Sequence, residues 1–269
     1  MRKLALITGA SAGIGSEFAR LYAARGHDLM LTARRQDRLE KLASELEITY
    51  DVKVGVMPVD LTRSSSVSRI LKRIGDDGRH VDVLVNNAGY TLPGNFMDWT
   101  WDDHKDFLQV MLTVPTELCH NLLGGMRDRG YGRVINVASL VSFVPGSKGH
   151  TLYAPVKAAL MRLSESLNSE MRDSGVHITA LCPGLTHTEF HAANHMAEQV
   201  SRVPNFMWQP VEDVVEAGFH AVEANRPVVV PGSVNKMIAA LMQVLPGPVT
   251  RGLMIEQSRH FRSGHHQAA

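Results

Sequence analysis

A glycine-rich turn directly follows the first apolar segment of the chain. Residues 4–7 are Leu-Ala-Leu-Ile, and residues 8–15 read Thr-Gly-Ala-Ser-Ala-Gly-Ile-Gly before a helical pattern begins. Such a strand-to-helix turn presents free N–H groups to the pyrophosphate of a dinucleotide. In that role Gly9 permits the tight exit from the strand, Gly13 lets the backbone approach phosphate, and Gly15 allows close helix packing. Taken alone, the turn is equally compatible with an ordinary loop.

Short β-branched runs alternate with long amphipathic patterns along the chain, which is typical of βαβ units. Right-handed crossovers then give a doubly wound parallel sheet with helices on both faces, a Rossmann-like α/β fold. Nothing in the sequence indicates a linker or a repeat, so we expect residues 1–269 to form a single dinucleotide-binding and catalytic domain. The predicted strands, about seven, lie near residues 3–8, 28–33, 52–58, 81–86, 132–138, 176–182 and 227–231.

A tyrosine and a lysine four residues apart indicate acid–base chemistry. Tyr153 and Lys157 share one face of a predicted helix that starts at about residue 152. A free phenol, with a pKa of about 10, is a poor catalyst near neutral pH, and a neighbouring ammonium would lower that pKa by stabilising the phenolate. Ser139 offers a hydroxyl that can hold a substrate oxygen against the tyrosine, and Ser142 is a less favoured candidate. Each side chain taken singly is an ordinary structural residue, but their combination behind the glycine turn favours chemistry.

With these motifs in this order, the chain resembles the short-chain dehydrogenase/reductase family in its compact single-domain form. The resemblance covers almost the whole sequence, and its motifs follow the ends of successive strands. They are the glycine turn 8–15, Asp60, Asn86-Asn87-Ala88-Gly89, Ser139, Tyr153 with Lys157, and Pro183-Gly184 with Thr188.

The resemblance implies a role for each of these residues. Tyr153 would be the catalytic acid or base, Lys157 would lower its pKa and hold the nicotinamide ribose, and Ser139 would orient the substrate carbonyl. Asp60 would accept a hydrogen bond from the adenine amino group, and Thr188 would bind near the nicotinamide carboxamide or phosphate. The other residues implied to bind the cofactor are Thr8, Gly9, Ser11, Gly13, Ile14, Gly15, Leu61, Asn87, Ala88, Gly89, Pro183, Gly184 and Thr186.

Two arginines after the second strand predict NADP(H) as the cofactor. The strand ends in Arg34-Arg35, at the position that meets the adenosine ribose in dinucleotide sites. Guanidinium groups bind a 2′-phosphate through charge-assisted hydrogen bonds, whereas an acidic residue there would bind the free 2′-hydroxyl of NAD. Asp37 lies farther into the next helix, where we expect it to act as a cap or a partner of the helix dipole. Arg34 is the first candidate for the phosphate contact and Arg35 the second.

One position departs from the family pattern. Met111, in a helix predicted near 103–126, lies where many members carry a fourth catalytic residue, an asparagine that helps to hold a water in the proton relay. A methionine side chain makes no hydrogen bond of consequence, but the backbone carbonyl there can still hold water. We therefore keep two hypotheses. The first is an NADPH-dependent carbonyl reductase or alcohol dehydrogenase for a hydrophobic ketone, alcohol or 3-oxoacyl compound, and the second is an NADP(H)-binding regulatory or scaffold protein with little turnover.

The composition bounds the class of partner. With 28 basic and 27 acidic residues the net charge is +1, which argues against nucleic acid or an anionic membrane, and no stretch approaches the roughly 20 apolar residues of a membrane span. We expect a small carbonyl or alcohol substrate and a homodimer or homotetramer. Cys119 and Cys182 are the only cysteines, which argues against a disulfide framework and makes the cytoplasm the expected location.

Two segments lie outside the alternating pattern. Residues 187–210 interrupt it beside the predicted site and carry apolar and aromatic side chains, which indicates a substrate lid or, alternatively, an exposed loop with a few buried anchors. We expect residues from about 233 to 262 to form a C-terminal helical extension whose apolar stripe would cover the substrate cleft, a partner subunit or a membrane surface. His187, His191 and His195 recur every four residues, but no acidic or thiol partner has ligand spacing, so we expect a polar lid face and no metal.

Overall fold

The computed structural model describes residues 1–146, 149, 151–190, 203–250 and 252, over which strands and helices alternate. The strands are β1 (Leu4–Thr8), β2 (Asp28–Ala33), β3 (Val54–Pro58), β4 (Val83–Asn86), β5 (Gly132–Val137), β6 (Val176–Leu181), β7 (Leu185–Thr186), β8 (Trp208–Gln209) and β9 (Val228–Val229). The helices are α1 (Gly13–Ala24), α2 (Gln36–Tyr50), α3 (Ser66–Asp76), α4 (Trp101–Leu108), α5 (Val114–Asp128), α6 (Tyr153–Glu170), α7 (Val211–Glu223) and α8 (Ser233–Val244).

The predicted α/β fold class is confirmed. Seven strands form one sheet in the order β3-β2-β1-β4-β5-β6-β9, and every neighbouring pair is parallel. The chain runs outward from β1 in one direction through β3 and then in the other direction from β4, so the topological switch point lies between β1 and β4. Strands β7 and β8 form a separate short parallel pair. The carboxyl ends of the central strands therefore share one edge, where ligands bind in folds of this kind.

The two faces of the sheet are buried under different helices. Ile7 and Val85 belong to a core with residues of α1, α2 and α7, whereas Leu6 and Leu84 belong to a second core with residues of α3 and α5. Successive strand residues point to opposite faces, so strands covered on both sides have near-continuous apolar sequences. This explains why the strands were recognisable as short apolar runs.

The region predicted as one helix near 103–126 is interrupted. Between α4 and α5, Gln109–Thr113 forms a π-helical segment. Pro115 follows in the first turn of α5 and cannot donate a backbone hydrogen bond. Single π-helical turns occur frequently at functional sites because they displace one backbone turn from the regular helix. Met111 lies inside this segment.

The C-terminal extension begins beside the carboxyl edge of the sheet. Helix α8 packs against the turn of residues 140–143, and its Asn235 is buried against Gly184. Its opposite side exposes Met237, Leu241 and Val244. Among the described residues, no helix is both long enough and apolar enough to cross a bilayer.

We predict that the central strand β4 carries a large share of the stability. Leu84 is fully buried, so Leu84→Ala should lower the free energy of unfolding by about 2–5 kcal/mol through lost apolar contact and a residual cavity. Ile48→Ala on α2 is the matched control, because Ile48 is 86% exposed and its truncation should change the free energy by less than about 0.5 kcal/mol. Urea unfolding of both variants measures the difference, and equal effects would contradict the assigned core.

Candidate active site

The carboxyl ends of β1 and β4 are joined by the side chains of Thr8 and Asn87. The hydroxyl oxygen of Thr8 accepts hydrogen bonds from the backbone N–H groups of Asn87 and Ala88, each at 3.0 Å. In return, the side-chain amide nitrogen of Asn87 donates to the backbone carbonyl oxygens of Thr8 at 3.0 Å and Gly9 at 3.1 Å. We call these four hydrogen bonds the Thr8–Asn87 clasp. The clasp fixes the start of the glycine turn at the switch point of the sheet.

The glycine turn leaves little room for side chains. Gly9 and Gly13 have φ values of +67° and +58°, which favour glycine. A Cβ on Gly15 would lie 2.5 Å from the amide nitrogen of Asn87, so only glycine fits where α1 meets β4. No side chain caps the N-terminus of α1, which leaves its N–H groups available to a ligand. These features fit the pyrophosphate of a dinucleotide.

Arg34 lies near the end of β3, where Asp60 is located. One carboxylate oxygen of Asp60 accepts hydrogen bonds from the backbone N–H of Thr62 at 3.1 Å and its hydroxyl at 2.9 Å. Burial raises the pKa of Asp60, but these hydrogen bonds and the positive charges of Arg34 and Arg63 hold it below its ordinary value. The carboxylate is therefore ionised at neutral pH and available as a hydrogen-bond acceptor. Leu61 is buried in the core, so only its backbone is available to a ligand.

Arg35 lies on the other side of the same edge, against the glycine turn. Its guanidinium donates to the hydroxyl of Ser11 at 3.2 Å. It also lies 3.6 Å from a carboxylate oxygen of Glu189, which accepts a 2.6 Å hydrogen bond from Arg38. The sequence analysis missed Arg38 and Glu189. Arg38 could have been identified from the sequence, because it follows Arg35 by three residues and so lies close to it. No local sequence pattern connects Glu189 to these arginines.

Tyr153, Lys157 and Ser139 converge at the same edge. Tyr153 is the first residue of α6, and Lys157, one turn later, has its ammonium 5.8 Å from the centre of the phenol ring. The ammonium donates to the carbonyl oxygen of Val137 at 2.6 Å. Ser139 follows β5, and its hydroxyl oxygen accepts from the N–H of Val141 at 3.3 Å and is hydrogen-bonded to Tyr153.

Burial dominates the acid–base properties of this group. It raises the pKa of Tyr153 to about 12, and the hydrogen bond with Ser139 opposes the rise. Burial also lowers the pKa of Lys157 to about 8. The expectation that Lys157 lowers the pKa of Tyr153 is therefore not met in this structure. The physical reason is that the ammonium is bound to Val137 and is too far from the phenol to offset the loss of hydration.

A buried amide network supports α6 from below. Asn86, at the end of β4, donates to the side-chain oxygen of Asn136 on β5 at 2.8 Å. Asn136 donates to the hydroxyl of Ser164 at 2.9 Å, and that hydroxyl donates to the carbonyl oxygen of Leu160. Buried, paired polar groups of this kind fix the position of a helix on a sheet. The sequence analysis did not identify Asn136 or Ser164.

Met111 packs directly behind the candidate catalytic group. It is 1% exposed and belongs to an apolar cluster that contacts Tyr153. The N–H of Tyr90 approaches the sulfur of Met111 at 3.4 Å, and a Cβ on Gly89 would lie 2.9 Å from that sulfur. The methionine thus fills the space between the loop after β4 and the π-helical segment.

The loop after β6 closes the other side of the site. Thr188 lies against the glycine turn, since a Cβ on Gly13 would come within 3.1 Å of the Thr188 side chain. The buried hydroxyl of Thr186 donates to the carbonyl oxygen of Gly184 at 3.2 Å. The predicted cofactor residues at the ends of β1, β2, β3, β4 and β6 are therefore brought to one edge, with Ile14 partly buried against the core.

A narrow apolar cleft opens beside Tyr153. It is a cavity of about 10 Å³, the space of about one water molecule, between the loop after β4 and the start of α6. Aromatic and aliphatic side chains dominate its wall. The lining residues are Leu92, Gly94, Asn95, Phe96, Trp99, His104, Phe107, Thr151, Leu152 and Tyr153.

Part of the predicted lid is described. In the lid segment 187–210, His187 stacks on Trp208 with ring centres 5.0 Å apart, and its N–H donates to Gln209. His191 and His195 lie outside the described residues. Within the described ranges, no group of three or more His, Cys, Asp or Glu side chains is arranged to hold a metal ion.

Comparison with known proteins places this geometry in a family. The family model described as short chain dehydrogenase matches residues 3–199. Oxidoreductase UcpA of Salmonella typhimurium is 34% identical over 203 residues, which cover 76% of this chain and 74% of that protein.

Two solved structures show the same similarity over nearly full lengths. A short-chain dehydrogenase from Sphingobium yanoikuyae in complex with NADPH is 30% identical with a TM-score of 0.80, covering 99% of this chain and 98% of that one. A bulky-bulky ketone specific alcohol dehydrogenase from Comamonas testosteroni is 28% identical with a TM-score of 0.75, covering 98% and 97%. The chain is therefore a member of the short-chain dehydrogenase/reductase family and an NAD(P)-dependent oxidoreductase.

Proposed function

We propose that the protein is an NADPH-dependent carbonyl reductase, reversible as an alcohol dehydrogenase, that acts on a hydrophobic ketone. The observation that carries the proposal is the grouping of Tyr153, Lys157 and Ser139 beside an apolar cleft, at the edge that also holds the glycine turn and Arg34 and Arg35.

Tyr153 is the proton donor in this mechanism. Because burial raises its pKa to about 12, the phenol is almost entirely protonated at neutral pH, which is the form that reduction of a carbonyl requires. The hydroxyl of Ser139 accepts from Val141 and is hydrogen-bonded to Tyr153, so a carbonyl oxygen that enters between Ser139 and Tyr153 would replace that bond and be held by both hydroxyls. As negative charge develops on that oxygen, Tyr153 transfers its proton, while Lys157, whose ammonium donates to the carbonyl oxygen of Val137, would hold the nicotinamide ribose.

The nicotinamide cofactor, when bound, supplies the hydride that reduces the carbonyl carbon. The glycine turn and the uncapped N-terminus of α1 would hold its pyrophosphate, and Asp60 its adenine. Arg34 and Arg35 directly follow β2 and would hold a 2′-phosphate. The NADPH complex of the Sphingobium dehydrogenase supports the same preference here.

The cleft favours a hydrophobic substrate. Phe96, Trp99 and Phe107 form much of its wall beside Tyr153. Apolar walls with a few polar groups at one end are typical of pockets for small apolar ligands. The relative from Comamonas, which is specific for bulky-bulky ketones, supports a ketone as the substrate class. NADPH oxidation with a panel of ketones graded in size tests this substrate class.

The competing hypothesis is an NADP(H)-binding protein with little turnover. Met111 motivates it, because the side chain at this position cannot hold a relay water. Against it, Met111 lies in a π-helical segment, and we propose that a backbone carbonyl of this segment holds the relay water in place of a side chain.

The first prediction concerns the cofactor. NADPH should bind at least about 30-fold more tightly than NADH, since the loss of charge-assisted hydrogen bonds costs about 2 kcal/mol. Arg34→Asp should reverse the order by repelling the phosphate. Arg172→Asp is the control, because Arg172 is exposed beyond α6 at the opposite end of the fold. Titration of cofactor fluorescence gives the dissociation constants, and equal affinities in the unmodified protein would refute the assignment.

The second prediction concerns the proton donor. Tyr153→Phe should reduce turnover by about 10²–10⁴-fold while changing the affinity for NADPH little, because the phenol oxygen serves proton transfer. Tyr131→Phe is the matched control at the amino end of β5, and it should leave turnover unchanged. Lys157→Ala should weaken both binding and rate. Turnover of the Tyr153 variant within about tenfold of the unmodified protein would assign the donor role to another group.

The third prediction separates the two hypotheses. Met111→Asn should change turnover by less than about tenfold, because the backbone carbonyl carries the relay and an asparagine oxygen can replace sulfur as the acceptor for Tyr90. The assay is NADPH oxidation by both proteins on one accepted ketone. A gain of about a hundredfold or more would instead favour the binding protein with little turnover.

A further inference from the structure

Glu189 brings a carboxylate to the arginines at the end of β2 from a distant part of the chain. Its oxygen accepts a 2.6 Å hydrogen bond from Arg38 and lies 3.6 Å from the guanidinium of Arg35. Arg35 in turn donates to Ser11 in the glycine turn. The carboxylate therefore sits among the positive charges at the edge where the proposed function places the 2′-phosphate.

The backbone that precedes Glu189 is held beside the glycine turn. The preceding residue, Thr188, packs on Gly13 of the glycine turn, and β7, just before it, pairs with β8. The carboxylate of Glu189 therefore lies beside the glycine turn and is not a remote surface group.

The ion pairs themselves are weak enough to be exchanged. The side chains of Arg35, Arg38 and Glu189 are 44%, 41% and 57% exposed. Ion pairs in such exposed positions contribute little to stability, because water screens the attraction and long side chains must be ordered. The hydrogen bond from Arg38 nevertheless lowers the pKa of Glu189, so the carboxylate is charged at neutral pH.

We propose that Glu189 occupies the place of the cofactor's 2′-phosphate in the unliganded protein and competes with it for Arg35 and Arg38. A carboxylate and a phosphate present similar oxygen acceptors to guanidinium groups, and one must leave before the other can bind. This inference rests on the proposed preference for NADP(H). It adds Arg38 to the arginines that bind the 2′-phosphate. It also makes Glu189 a specificity-determining residue, because its carboxylate narrows the difference in binding affinity between NADPH and NADH.

The competition has an asymmetric consequence. NADPH must displace the carboxylate of Glu189 before it can bind. Its apparent affinity is therefore its intrinsic affinity multiplied by the fraction of protein in which the arginines are already free. NADH has no 2′-phosphate, and the contact between Glu189 and the arginines can persist in its complex. Removing the charge of Glu189 should therefore affect the binding of ligands that bear a 2′-phosphate and leave the others nearly unchanged.

The test is calorimetric binding of NADPH, NADH and the fragments 2′,5′-ADP and 5′-AMP to the unmodified protein and to Glu189→Gln. The substitution keeps the size of the side chain. Because the side chain at position 189 is exposed, we expect the variant to fold like the unmodified protein. We expect NADPH and 2′,5′-ADP to bind roughly three- to tenfold more tightly, with NADH and 5′-AMP changed less than about twofold. Glu170→Gln, an exposed glutamate at the far end of α6, should change none of these constants.

The outcomes are distinguishable from failure of the proposed function. The ratio of NADPH to NADH affinity in the unmodified protein tests the cofactor preference. The ratio of 2′,5′-ADP affinity between the variant and the unmodified protein tests Glu189. Unchanged or weaker binding of 2′,5′-ADP by Glu189→Gln, or an equal gain for 5′-AMP, would overturn the inference even if NADPH is preferred.

Discussion

The Thr8–Asn87 clasp is the interaction on which the site depends. It joins β1 to β4 at the point where the sheet reverses its winding, which is where dinucleotides bind in folds of this kind. The same amide of Asn87 leaves no space for a side chain on Gly15, which forces α1 close to β4. The glycine turn and the start of α1 therefore keep their shape without a ligand, and the cost of ordering them is met during folding.

Low hydration at the carboxyl edge shifts the pKa values of the two candidate catalytic groups in opposite directions. In both groups it favours the neutral form. It raises the pKa of Tyr153 to about 12 and lowers that of Lys157 to about 8. At neutral pH the phenol is protonated and the ammonium is largely charged, which suits a donor supported by a nearby cation. The reverse reaction requires the phenolate and should be favoured as pH rises. Asn86, Asn136 and Ser164 hold α6 so that this arrangement is preserved.

The sequence predicted the parts of the structure that follow from local pattern. Strands buried on both faces appear as apolar runs, and Gly9 and Gly13 stand where φ is positive, so the sheet and the glycine turn were predictable. The π-helical turn around Met111 was not, since the apolar spacing of that region fits a regular helix. Arg38 and Glu189 meet across about 150 positions of the chain, and no periodicity records such a contact. The pKa of Tyr153 was predicted in the wrong direction because spacing from Lys157 says nothing about the depth of burial.

The central claim is that the site holds Tyr153 as a neutral phenol ready to donate its proton. The most direct measurement is a pH titration by NMR of protein labelled with ¹³C at the ζ carbon of its five tyrosines, with Tyr153→Phe identifying the resonance. In the protein without cofactor, the account predicts that this resonance keeps the chemical shift of a neutral phenol beyond pH 10, the ordinary pKa of tyrosine. A transition to phenolate near pH 7 would contradict it.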